Sequence, residues 1–194
     1  PGLLQLMILL VTVFSIGSEI KRATAREWLR TADDSIIIAI TGKLLPQTII
    51  FFAVGLFYLA MLYGYLHFPM QGNIWHMIFA MFLLVVATQS FAVIIMSIAP
   101  SLRIGLSAAG LVGVLSLSIA GFSFPVPAMY LPFQAMSYVL PVRHYFLIYV
   151  DQALNGIPLY YSRWHYVALI LFAVASTPLL PRLKKALMRQ VYVP

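Results

Sequence analysis

The residues able to do acid–base or metal chemistry are few and scattered. The chain has four histidines, five carboxylates and no cysteine, which excludes thiol nucleophiles, disulfides and thiolate metal sites. His144 and Asp151 are an acid–base pair in type and would share a helix face. Two helical turns hold them roughly 10 Å apart, too far for direct contact, so with Arg143 they read as polar anchors rather than a catalytic set. His67 and His76 lack a third ligand and make a poor metal site. No nucleophile elbow, H-E-x-x-H or paired-carboxylate pattern occurs. Gly42-Lys43 invites a phosphate-loop reading and fails it: the first glycine of G-x-x-x-x-G-K-[ST] is missing and Leu44 follows the lysine. No catalytic residue, metal site or nucleotide loop is expected here. The opposing expectation, a membrane-embedded enzyme using His76, His144 or Asp151, predicts that alanine at those three positions abolishes activity.

The charge pattern is more informative. Eight of the seventeen charged residues fall in SEIKRATAREWLRTADDS, Ser18 to Ser35, four basic and four acidic. Thr24-x-x-Glu27 has the form of a capping box, in which hydroxyl and carboxylate satisfy each other's backbone N–H. A helix starting there puts Ala25, Trp28, Leu29 and Ala32 on one face and Arg22, Arg26 and Arg30 along another. Asp33-Asp34-Ser35 offers a cap for the next helix. The stretch predicts a short amphipathic helix lying on the membrane surface or against another protein.

The elements that position these residues follow from composition. The chain is 62% hydrophobic and 9% charged, whereas soluble proteins carry about 25% charged residues. Five continuous apolar runs, about 3–17, 44–66, 74–99, 104–124 and 164–180, approach the length of a spanning helix, and continuity rather than alternation excludes a barrel. The expected fold class is an all-α polytopic membrane protein. Lys and Arg divide ten to two: Lys21, Arg22, Arg26, Arg30, Lys43, Arg103, Arg182, Lys184, Lys185 and Arg189 against Arg143 and Arg163. The positive-inside rule then puts the C-terminus in the cytoplasm and the N-terminus outside, and accounts for the net charge of +7 without nucleic acid. Lys43 snorkels from a span end, and Pro46 loosens that span's first turns.

The connection over 125–160 is too apolar for a solvated loop. Its prolines and a short helix, Val142 to Leu154, stopped by Asn155-Gly156, predict re-entrant or interfacial pieces. Its tyrosines, with Trp164, suit an interfacial aromatic belt. Gly105, Ala109 and Gly113 recur every four residues, a spacing that lets helices approach closely, within one subunit or at a dimer seam. Gln89, mid-span, is either interhelical glue or a contact along a substrate path.

Glu19, Arg22, Thr24, Glu27 and Leu29, then Gly42, Lys43 and Pro46, resemble the E-x-E-R-G-T-x-E-x-L and G-K-x-x-P blocks of ABC-2 type exporter permeases. The chain departs at Lys21, where a second acid is common, and at Ala23, where glycine is usual. GFSFPVPAMYLPFQAMSYVLPVRHYFLIYVDQALNG is similar to that family's block before the last span, with His144 inserted between Arg143 and Tyr145. The resemblance implies a bacterial plasma (inner) membrane protein with six spans, the first of them, and in many members a large extracytoplasmic domain, expected upstream of Pro1. It implies a homo- or heterodimer of permease subunits and separate ABC ATPase subunits that bind ATP and Mg²⁺. It makes about 19–33, with Glu19, Arg22, Thr24, Arg26, Glu27, Trp28 and Leu29, the coupling helix that the ATPase holds. A non-transporting assembly subunit joined through the Gly105 ridge is the remaining expectation.

Overall fold

A computed structural model describes residues 1–121 and 125–189. Within a lipid-like apolar run the backbone can satisfy its polar groups only internally, and the described residues form helices and no strands. The helices are α1 (Gly2–Lys21), α2 (Ala25–Arg30), α3 (Ile36–Ala60), α4 (Ile74–Ile98), α5 (Leu102–Ile119), α6 (Leu131–Tyr138), α7 (Pro141–Ile148), α8 (Leu159–Val174) and α9 (Leu180–Arg189). π turns at Met61–Tyr65 and Tyr149–Leu154 extend α3 and α7. Five stretches are long and apolar enough to cross a membrane: α1, α3 with its π turn, α4, α5, and Leu159–Met188, which joins α8 to α9.

Several boundaries differ from the sequence expectation. α3 begins at Ile36, not Leu44. Thr41, Gly42 and Lys43 interrupt the apolar run without breaking the helix, because the Thr41 hydroxyl donates back to the Ile37 carbonyl and Lys43 finds a carboxylate. α5 ends at Ile119 rather than near Phe124. Gly121 then turns the chain at φ +104°, and 122–124, the end of the expected span, lie outside the described residues. The helix expected over 142–154 starts one residue earlier, at Pro141, whose fixed φ suits a first helical position. Gly156, at φ +60°, supplies the left-handed residue that ends it.

Apolar helices gain little from one another by the hydrophobic effect in lipid; close fit and interhelical hydrogen bonds hold them. α4 runs through the centre, packed by α1, α3, α7 and α8. Two apolar clusters stack along it. At the basic end Ile16, Ile20, Leu29, Met96, Leu183 and Leu187 meet; at the aromatic end Met77, Met81, Leu84, Ile148 and Leu169 do. The small-residue ridge of α5 faces α1 of the same chain. A Cβ on Gly105 would lie 2.7 Å from Met96 Sδ and 3.0 Å from Val13, and one on Gly113 would lie 2.2 Å from Leu6 Cδ1. Ala109 is fully buried. Of the two expectations for this ridge, packing inside the subunit is therefore the one realised. A dimer seam would need the same surface to be free.

Buried amides pin the bundle. Gln5 Nε2 donates to Ser116 Oγ at 2.9 Å while its Oε1 accepts from the Val142 N–H at 2.9 Å, joining α1, α5 and the start of α7. Gln89 of α4 accepts from Thr48 Oγ1 at 2.8 Å and donates to the Leu44 carbonyl at 3.5 Å. Both ends of its amide are taken by α3, so it acts as interhelical glue.

Candidate functional site: a platform at the basic end

Glu19 sits in the last turn of α1, not in the short helix where the 19–33 expectation placed it. Its carboxylate accepts hydrogen bonds from Lys43 Nζ of α3 and from the Thr24 hydroxyl. This is the one ion pair among the described residues, and both side chains are mostly buried. Lys43 Nζ also lies 4.7 Å from the Trp28 ring centroid, within cation–π range. One lysine therefore ties the ends of α1, α2 and α3 together.

The chain turns from α1 into α2 at Ala23, whose φ of +58° is in the left-handed region, where a Cβ is penalised. It turns from α2 into α3 through Asp33 and Asp34, also left-handed at +50° and +55°, a conformation aspartate tolerates better. The Asp34 N–H closes the turn on the Leu29 carbonyl at 3.0 Å. The helix between these bends is only Ala25–Arg30. The expected capping box is not formed. Thr24 has helical rather than extended dihedrals and makes no side-chain cap bond, because its hydroxyl donates to Glu19 instead. Ser35 occupies the start of α3 but likewise makes no side-chain cap.

The apolar face of α2 is covered by the chain itself. Ala25, Leu29 and Ala32 are buried in the same cluster as Leu183 and Leu187 of α9. Two polar contacts clamp the pair: Arg26 Nη2 donates to the Met188 carbonyl at 3.1 Å, and Lys184 Nζ donates to the Asp34 carbonyl. The face expected to lie on the membrane surface or against another protein is thus covered, at Ala25, Leu29 and Ala32, by the chain's own α9. What α2 presents outward is charged: Arg22, Arg26, Glu27 and Arg30 are exposed, and Trp28 is half-buried. Between α2 and α9 lies a crevice of about 260 Å³ lined by Arg26, Leu29, Arg30, Asp34 and Met188.

The titratable residues of the aromatic end do not converge on a reaction centre. His144 Nε2 meets the Tyr138 carbonyl at 3.0 Å and its Nδ1 is 3.5 Å from His165 Nδ1. Burial holds His144 below the ordinary imidazole range. The Tyr138 carbonyl opposes this, and the His165 and Arg143 charges add to it. Asp151 accepts from Ser162 Oγ at 3.1 Å, and His76 Nδ1 pairs with Gln152 Oε1 at 3.1 Å. Gln152 Nε2 also donates to Ser162 Oγ at 3.3 Å, so His76, Gln152, Ser162 and Asp151 form one hydrogen-bonded chain, while His144 stands on separate partners. No group of three metal-ligating side chains assembles among the described residues. Arg143 is buried, with its guanidinium 4.2 Å from the Tyr138 ring centroid.

Sequence reasoning missed Gln5, Gln152 and the role of α9. Leu183 and Leu187, at i and i+4 between basic residues, are the signal that α9 is amphipathic.

The sequence model of a family described as ABC-2 family transporter protein matches residues 2–180, from the start of α1 to the first residue of α9. No curated protein and no solved structure matches the chain.

Proposed function

Since the chain belongs to the ABC-2 transporter family, and is thereby a multi-pass transporter membrane subunit, we propose that it is the permease of an ATP-driven exporter. In this reading the basic end faces the cytoplasm of a bacterial inner membrane, by the positive-inside rule. The C-terminus is cytoplasmic and the first residue of α1 extracytoplasmic. A separate ABC ATPase subunit binds ATP and Mg²⁺, and a second permease, identical or not, completes the transporter.

The observation that carries this is α2: a short helix with its apolar face already buried, a charged face exposed, and rigid ties to the bundle. A helix that only filled a loop would need no such ties. Movement of an ATPase against α2 passes to α1 and α3 through Glu19, Lys43 and Trp28. It passes to α8 through α9. ATP-driven closure biases the bundle between inward- and outward-open arrangements only if the two make different contacts with the ATPase. Gln89 joins α3 to α4 in this scheme.

Reconstitution with its ABC ATPase in proteoliposomes tests the reading. ATP-dependent substrate movement that stops when Glu19 and Lys43 are both replaced by alanine supports it. Full transport by vesicles containing this chain and no ATPase overturns it.

A further inference from the structure

We infer that α9 is half of the docking surface, and that the α2–α9 crevice receives a carboxylate side chain from a surface of the ATPase subunit that carries both signs. This rests on the exporter reading but goes beyond it, because that reading gives the docking role to the helix after α1 alone.

Three observations converge on the crevice. First, α2 and α9 pack as one unit: Leu29, Leu183 and Leu187 share a buried cluster, and Arg26 and Lys184 bond across to the Met188 and Asp34 carbonyls. A body resting on α2 therefore meets α9 as well. Second, the crevice is lined by the apolar Leu29 and Met188, by two arginines and by the single Asp34 carboxylate, so its lining is net positive. Arg26 spends one nitrogen on the Met188 carbonyl, and Arg30 has no ion pair among the described residues. A guanidinium beside apolar side chains suits a bidentate carboxylate on a short aliphatic stem. Third, the outward face of α9 continues the positive field. Arg182 and Lys185, three apart, are exposed opposite the buried Leu183 and Leu187 and have no ion pair among the described residues.

Anionic lipid headgroups are the competing occupant of exposed cations. Glu27, Asp33 and Asp34 stand exposed among the arginines and would repel a uniformly negative surface. A protein surface with both signs can match them.

The test uses the full chain and its ABC ATPase in nanodiscs, of zwitterionic lipid alone or with anionic lipid added. Arg30→Glu and the pair Arg182→Glu/Lys185→Glu are each expected to weaken ATPase binding by roughly tenfold or more, as interfacial charge reversal does. The loss should grow as salt is lowered and appear in both lipid mixtures. The milder pair Arg182→Gln/Lys185→Gln guards against misfolding and should show the same sign. Unchanged affinity in the α9 variants, with Arg30→Glu weakened, overturns the composite surface. An effect confined to anionic discs also overturns it, and assigns the α9 cations to lipid. If the wild-type chain binds no ATPase at all, the exporter reading has failed and this inference with it.

Discussion

Replacing Lys43 by methionine removes one charge and keeps most of the stem, so it isolates the latch that holds α2. Two contributions disappear. The ion pair to Glu19 is mostly buried, at 19% and 22% side-chain exposure. That lies between the 0.2–1 kcal/mol of exposed pairs and the 3–5 kcal/mol lost when one partner of a buried pair is removed, so about 1–2 kcal/mol is expected. The Trp28 contact at 4.7 Å adds roughly 0.5–1 kcal/mol. The sum, about 2 kcal/mol, is a factor of about 30 in a local opening equilibrium. Hydrogen exchange is the direct assay. Amides that close α2, those of Trp28, Thr31 and Asp34, should exchange about 30 times faster in Lys43→Met, with α4 amides unchanged. Glu19→Gln should reproduce part of the effect, and the double variant should fall short of the sum by about 1 kcal/mol. Additive effects, or equal acceleration in α2 and α4, would refute the latch.

Other substitutions test the bends, the ridge and the aromatic end. Ala23→Gly removes the Cβ penalty at φ +58°, and net of the looser unfolded chain should stabilise by about 0.5–1 kcal/mol, read as a raised Tm in detergent. Gly113→Leu drives a side chain into Leu6 and should destabilise by about 1–3 kcal/mol. Its assembly mass should stay that of wild type; loss of a dimer at unchanged Tm would return the ridge to the subunit interface. His144 has a depressed pKa from burial, so its contribution to stability is complete above the unfolded value, about 6.5, and is lost as pH falls. Wild type should therefore lose more stability than His144→Gln between about pH 6.5 and pH 5, measured by thermal unfolding.

The spans were legible because lipid leaves a continuous apolar run no fold but helix, and the four-residue spacing of Gly105, Ala109 and Gly113 correctly marked a close helix contact. Its partner was not legible, since spacing says that a helix approaches and not which one. The same gap produced the main error at the site. Ala25, Leu29 and Ala32 form a true apolar face, but α9, more than 150 residues away in sequence, covers it. Thr24 and Glu27 have capping-box spacing, yet a longer-range acid, Glu19, takes the hydroxyl. Ala23 shows the reverse case. The departure from glycine noted in the sequence falls on a residue at positive φ, so the structure supplies the physical reason glycine suits that position.

In the proposed assembly α2 meets an ATPase through its charged face while α9 covers the other. A photo-cross-linking residue placed singly at 25, 26, 27 and 30, in membranes containing the ABC ATPase, tests this directly. ATPase adducts are expected from positions 26, 27 and 30 and none from 25. Adducts from 25 with none from 26, 27 and 30 would mean that the apolar face is the one that docks, and would contradict the proposed assembly.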